Sequence, residues 1–374
     1  MFGFGARLGR CAAWATVLSS CPAVFGLGES VMLKRVYVPG TVCYVESRTE
    51  VDQDISGLPM PPMKIRFEQL YGLWEHVESV TEDKTTVVLT YDRAARNVEA
   101  PMLGTVEFDT DDPDYEEAAP QLGAVLKPMI GMAMRMELDG SGEVLHFTGM
   151  DAINRKVSES AVASMHWEQM KDDFTDARGK ETWGREPLLF YANKEVKAGD
   201  SWQGVSSITE PVVGTIITDY RYEVDRVTME DGRKTAVILV SGVISTVTNG
   251  KNSKRSDERD SNKEDTVEGG EGQVEKKAEA QAEVTGVLSG SALYDVELGR
   301  IVTRATDGTI DMSIPLRKLM PNLPEGIEAG TVEFKMGFRT TITVSTEDER
   351  KAQKAEARKK AEMRRQAEEE EDDD

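Results

Sequence analysis

The side chains that could do chemistry are few in this 374-residue chain. Histidine occurs three times, as His76, His146 and His166, and no two stand at the spacing with which one strand or helix presents a pair of ring nitrogens to a metal ion. The segment "EHVE", residues 75–78, sets a base beside two acids. On the two-residue period of a strand His76 and Glu78 share a face while Glu75 points to the other, which reads as solvated charge. Cys43 stands beside Val42, Tyr44 and Val45 in an apolar run, the setting of a small buried residue. Cys11 and Cys21 fall in the N-terminal segment, so the body holds one thiol and no internal disulfide. No serine elbow, phosphate loop or dinucleotide fingerprint occurs in usable context. The chain therefore reads as non-enzymatic, with no catalytic, cofactor-binding or metal-binding residue to name.

The densest polar cluster is "DTDDPDYEE", residues 109–117, where Asp109, Asp111, Asp112 and Asp114 could offer oxygens to a hard cation. It lacks the glycine and closing glutamate of a calcium loop, with Pro113 fifth and Pro120 twelfth. An acidic turn is the simpler reading. A formal net charge of −22 opposes binding to duplex nucleic acid or to an anionic membrane face.

The first thirty residues, "MFGFGARLGRCAAWATVLSSCPAVFGLGES", place Arg7 and Arg10 before an apolar run at 11–27. Cations before a run too short for a membrane span are the layout of an export signal, assigned to residues 1–28. Within it "LSSC", residues 18–21, has the form of a lipobox, which makes Cys21 the candidate lipidation residue; simple cleavage near Gly26 to Gly28 is the other outcome. Export puts the protein in the periplasm or cell envelope, with the membrane reached only through such an anchor.

The body reads as mainly β with some helix. Two-residue alternation rich in Val, Thr, Tyr and Ile runs through residues 36–55, 64–82 and 84–100, and "MAMRMELDGSGEVLHFTG" at 132–149 is a hairpin turning at Asp139–Gly142. A second hairpin of the same style, "SGSALYDVELGRIVTRATDG", occupies 289–308. The expected architecture is two β-sheet modules of similar strand order, curved antiparallel sheets or half-barrels, at residues 31–149 and 183–345. Between them, at 150–180, apolar residues fall at Ile153, Val157, Ala161 and Met165, then Trp167, Met170 and Phe174, which is helical spacing, with Asp151 as N-cap and Gly179 as stop. Residues 248–283 carry charge and almost no large apolar side chain, so they predict a disordered insert. Residues 346–374, dense in Ala, Lys, Arg and Glu, predict a polar, solvated helical tail.

A Pro-Met loop, "GLPMPPMK" at 57–64, is an adaptable apolar segment. It suggests a ligand pocket between a sheet and the connecting helix, bordered by Met60, Met63, Met165 and Trp167.

Four segments taken together, "GTVEFDTDDPD" (104–114), "LKPMIGMAMRMELDGSGEVLHFTGMDAI" (126–153), "VKAGDSW" (196–202) and "LSGSALYDVELGRIV" (288–302), resemble an exported bacterial family of unknown function, in which a signal peptide or lipobox precedes two β-rich halves. The resemblance spans roughly residues 31–344 and implies no catalytic residue; the long charged insert departs from its more compact pattern. At the level of fold it is similar to half-barrel carriers of lipid or lipoprotein acyl chains in the bacterial envelope, which implies an apolar or lipid ligand. A surface scaffold without a ligand is the alternative. A continuous apolar pocket favours the first and a filled core the second.

The export reading predicts that the mature protein begins beyond Ser20. Terminal peptide mapping of cellular protein checks this, and an intact peptide covering residues 1–10 in most molecules would count against it.

Overall fold

A computed structural model of the chain describes residues 29–58, 60–101, 104–112, 119–160, 167, 171, 174–210, 212–230, 232–247, 282–320 and 330–372. The export signal with Cys21, Asp114, Met165, His166 and residues 248–281 of the charged insert lie outside the described residues.

Fourteen described strands follow the chain as β1 (Val31–Met32), β2 (Val42–Ser56), β3 (Met63–Val80), β4 (Lys84–Ala100), β5 (Gly104–Asp109), β6 (Ala133–Asp139), β7 (Val144–Thr148), β8 (Glu195–Val196), β9 (Ser201–Glu210), β10 (Gly214–Glu230), β11 (Arg233–Thr246), β12 (Glu283–Asp295), β13 (Arg300–Pro315) and β14 (Thr331–Ser345). Apart from the small β1–β8 pair they form one open antiparallel sheet in the order β7-β6-β4-β3-β2-β14-β13-β12-β11-β10-β9, with β5 added to β4. Each half is an up-and-down meander, β2 to β7 and β9 to β14. The two modules expected from the sequence share one sheet, because β2 pairs with β14 from Ser56↔Glu333 to Tyr44↔Ser345.

The alternation that writes these strands also sorts their faces. In β11, Ala236, Ile238, Val240 and Ile244 are buried while Leu239 and Val243 face solvent. The two similar hairpins turn by the same device. The Asp139 carboxylate accepts from the backbone N–H of Ser141 and Glu143 at 2.8 and 2.9 Å, and that of Asp295 from Glu297 and Leu298 at 2.9 Å each, so each aspartate closes its own turn.

Helical segments are α1 (Pro120–Leu126), α2 (Met150–Ser160), α3 (Asp176–Gly179), α4 (Leu316–Leu319) and α5 (Glu347–Asp372). The connecting segment is helical in pieces. After α2 the chain returns along it, because the Asn154 side chain donates to the carbonyls of Lys171 and Phe174 and Asp151 and Asp176 cap each other's backbone N–H. Ile153 and Val157, both 0 % exposed, and Trp167 belong to a core with Leu73, Val87 and Met134. Burial of each such side chain contributes about 1.5–3 kcal/mol. A second core gathers Tyr222, Ile238 and Tyr294 beneath Val31, Leu33 and Phe190. Leu188 packs against both.

The C-terminal segment differs from the solvated tail its composition predicts. α5 opens with a capping box in which Thr346 and Glu349 bond each other's backbone N–H. One turn on, Arg350 is 1 % exposed, its guanidinium 4.5 Å above the Tyr44 ring. Ala361 is also buried, so the helix is docked through more than its first turn.

Gly72 makes room for this joint, since a Cβ there would lie 1.7 Å from Tyr44 Oη. Gly72→Ala is expected to destabilise the protein by about 1–3 kcal/mol in urea unfolding. Adding Tyr44→Phe should recover part of that loss, because the hydroxyl, which has no hydrogen-bond partner among the described residues, is the nearest atom.

Candidate functional site

In an antiparallel sheet directly opposed residues share a face, so the register traces one face from strand to strand. The face carrying Cys43, Val51 and Ile55 of β2 is here the inner face; both cores lie on it. From the second core, which includes Leu288 and is packed by Ile310, Met312 and Phe338, it continues as apolar rows. Leu288, Gly308, Phe338, Val51, Phe67 and Val98 are opposed in turn across β12, β13, β14, β2, β3 and β4. The next row holds Ile310, Met336, Gln53 and Ile65, and the one beyond it Met312, Phe334, Ile55 and Met63. Phe67, Phe338, Met336, Ile65, Phe334 and Met63 are all half-buried. The helical segments serve the flanking cores, α1, α2 and Trp167 the first and the turn Glu186–Phe190 the second.

On the core side of these rows the inner face turns polar. Thr306, Thr340, Thr49, Gln69 and Arg96 are opposed in sequence from β13 to β4, and the Thr49 and Thr340 hydroxyls stand 3.3 Å apart. Arg304 lies one row further in, opposite Ile342. Inner-face glycines let β12 lie close to β13: a Cβ at Gly290 would meet the Ala305 carbonyl at 2.0 Å and one at Gly286 the Thr309 carbonyl at 2.5 Å.

The outer face of the same strands is a ladder of charge, with Arg48–Glu68 at 3.1 Å, Lys64–Asp54 at 3.6 Å, Arg66–Asp52 at 3.8 Å and Arg339–Asp307 at 2.6 Å. A concavity of about 920 Å³ on this side is lined mainly by those exposed residues, among them Asp52, Asp54, Lys64, Arg66, Glu99 and Lys335.

Two ionic clusters are buried. Glu75, expected to be solvated, is 9 % exposed. Its Oε1 accepts from Arg35 Nη2 at 2.5 Å, and Arg300 Nη2 lies 3.4 Å away without hydrogen-bond geometry. Burial alone would raise this carboxyl, but Arg35 and Arg300 override it and hold it below the usual range. Arg300 Nη1 also meets Cys43 Sγ at 2.6 Å. Burial and the nearby Glu75 push that thiol up to about 11, which leaves it un-ionised and unreactive at neutral pH. The strand period carried the missed clue, since Glu75 lies between Leu73 and Val77, both buried.

The second cluster docks α5. Arg350 donates to Asp92 Oδ2 from Nε and Nη2 at 2.9 and 2.7 Å and to Asp111 Oδ2 from Nη1 at 2.8 Å, and Lys354 donates to Asp92 Oδ1 at 2.7 Å. Asp109 is held by Arg93 at 3.0 Å from Nε. The acidic turn is thus an arginine receptor, and among the described residues no group of three His, Cys, Asp or Glu could hold a metal ion.

Of the residues expected to border a pocket, Met63 lies in an apolar row of the inner face and Met60 is 41 % exposed in the loop before it. Trp167 is elsewhere, 2 % exposed within the first core, its indole N–H donating to Ser158 Oγ at 2.7 Å and its ring 5.1 Å from Phe174. The described part of the sheet–helix interface is packed core. Met63 and Leu73, which lies in that core, are ten residues apart on β3, about 33 Å along a strand, so Met63 and the described part of the helical segment stand far apart.

A family model described as a family of unknown function (DUF6263) matches residues 82–301. No curated protein matches the chain. Among solved structures, one titled for lipid–protein interactions in lipovitellin aligns over 83 % of this chain and 25 % of that chain, with 10 % identity and a TM-score of 0.35. The chain thus spans about a quarter of the lipovitellin chain's length. An outer-membrane channel from Pseudomonas putida F1 aligns over 83 % of this chain and 97 % of that one, with 6 % identity and a TM-score of 0.22. Similarity at this level carries no functional information. No described helix is long and apolar enough to cross a membrane.

The α5 joint has a pH signature. Burial would raise the Asp92 carboxyl, but hydrogen bonds from Lys354 and Arg350 hold it below the usual range. Its contribution to stability is therefore complete above the ordinary carboxylate range, about pH 4, and is lost as pH falls through the lowered value. Denaturant unfolding of wild type and Asp92→Asn should differ most near neutral pH and converge in acid. Arg350→Ala, which leaves Asp92 to Lys354 and Asp111 to Arg93, should cost about 1–3 kcal/mol at neutral pH.

Proposed function

The chain belongs to the DUF6263 family, whose function is unknown, and we propose that it is a non-catalytic binder that lays an apolar chain along the inner face of its central strands. One observation carries this reading. Large apolar side chains of β14, β2 and β3, among them Met336, Phe334, Ile65, Phe67 and Met63, stand half-buried in rows interrupted by Gly308 and Gln53, and at the β13 end these rows run into the second core through Ile310, Met312 and Phe338. A half-buried apolar row still gains roughly 25 cal/mol per Å² on being covered, and an acyl chain is long and narrow enough to follow a row across several strands. The export signal read from the N-terminus supports a binder of lipid, since a protein exported to the periplasm or cell envelope would meet such a ligand there. A surface scaffold is the second reading, and the filled cores and the paired charges of the outer face favour it.

Titration with a fluorescent long-chain fatty acid separates the two. Wild type should bind saturably. Met336→Lys and Phe67→Lys should each weaken binding by roughly tenfold or more, since a charge then stands in the apolar row. Leu239→Lys, on the exposed outer face, should not change it. Thermal unfolding distinguishes lost binding from lost fold, and a wild type without saturable binding would leave the scaffold reading ahead.

A further inference from the structure

Among the described residues one apolar row of the inner face runs unbroken from β14 to β5. Phe338, Val51, Phe67, Val98 and Val106 are opposed in turn across β14, β2, β3, β4 and β5. The neighbouring row is interrupted by Gln53, and the one beyond it stops at Met63, the first residue of β3. On its other side the unbroken row borders the polar band, since Thr340, Thr49 and Gln69 stand two residues along the same strands.

Both ends of this row are closed. At β14 the Phe338 ring folds over Gly308, where a Cβ would meet its Cζ at 2.4 Å, and packs against the second core. At β5 Val106 packs against the first core. Phe108, two residues further along β5, belongs to that core and lies so near α1 that a Cβ at Gly123 would meet its ring at 3.2 Å. Between these ends Phe67 and Val98 are half-buried and Val51 is buried. Neighbouring strands are about 4.8 Å apart, so four spacings separate Phe338 from Val106 by about 19 Å.

Resting on the reading that this face holds an apolar chain, we propose that the ligand is a lipid with one saturated chain of about 14–16 carbons, and that Phe338 and Val106 set that length. An extended carbon chain advances about 1.3 Å for each bond of about 1.5 Å, so about fifteen bonds span the row. Each added methylene covers more of the row until it is full. Carbons beyond that number meet the packed flanks of the two cores and gain nothing. The polar band on one side and Gln53 on the other make the row a bed for a single chain.

The experiment displaces a bound fluorescent fatty acid with unlabelled saturated fatty acids of increasing length, from about 8 to about 22 carbons on the scale set by the strand spacing. With wild type, affinity should rise roughly two- to fourfold per added methylene and level off at about 14–16 carbons, the length of the row. Val98→Trp, which fills the β4 end of the row, should bring that break down by roughly four carbons or more while leaving the affinity of the shortest acid unchanged. Val98→Phe should move the break less and in the same direction, so the assignment does not depend on one variant folding. An affinity that climbs undiminished to the longest acid, or a break that both variants leave in place, would overturn the length assignment while leaving apolar binding intact. A wild type that binds neither the fluorescent acid nor any other would overturn both.

Discussion

The register of β2 against β14 is the constraint on which the rest depends. It opposes Val51 to Phe338 and Ile55 to Phe334, so the apolar faces of two separate meanders become one surface. A slip of a single residue would set the inner face of one half against the outer face of the other, dividing the apolar rows and stranding charges such as Asp52 and Glu50 among them. The buried Arg35–Glu75–Arg300 cluster sits at the same seam, with Cys43 of β2, Glu75 of β3 and Arg300 of β13 in mutual contact. A charge cluster of this kind adds little net stability, but its geometry tolerates few alternatives.

Much of the fold was legible because it is written locally. The alternation of Ala236, Ile238 and Val240 with outward neighbours needs no partner to be read, nor does the turn that Asp139 closes. Ile153 and Val157 mark the buried side of α2 by spacing alone. What escaped was long-range. Glu75 is neutralised by an arginine 40 residues away in sequence, and nothing distinguishes Arg350 from the other cations of its segment until Asp92, 258 residues distant, is placed beside it.

The candidate site was legible in half. Met63 lies on the apolar face because the strand period puts it there, in step with Ile65 and Phe67. The pocket drawn around it joined a methionine-bearing loop to an amphipathic helix whose described residues, Ile153, Val157 and Trp167, pack with Leu73 at the other end of β3. A polar band bounded by Arg96 had no sequence signature at all. Thr49, Gln69, Thr306 and Thr340 become neighbours only through three strand pairings.

An open sheet keeps two edges, and they differ. β7 is 5 residues long, whereas β9 offers 10, "SWQGVSSITE", uncharged until Glu210, and among the described residues it pairs only with β10. An uncharged strand of that length is a template for adding another chain's strand. The restraint on it is the repulsion between molecules that each carry −22. Colloidal behaviour is thus decided by screening: at about 0.15 M salt the repulsion reaches only about 8 Å, and further salt moves the balance toward edge-to-edge association without altering any contact inside the fold.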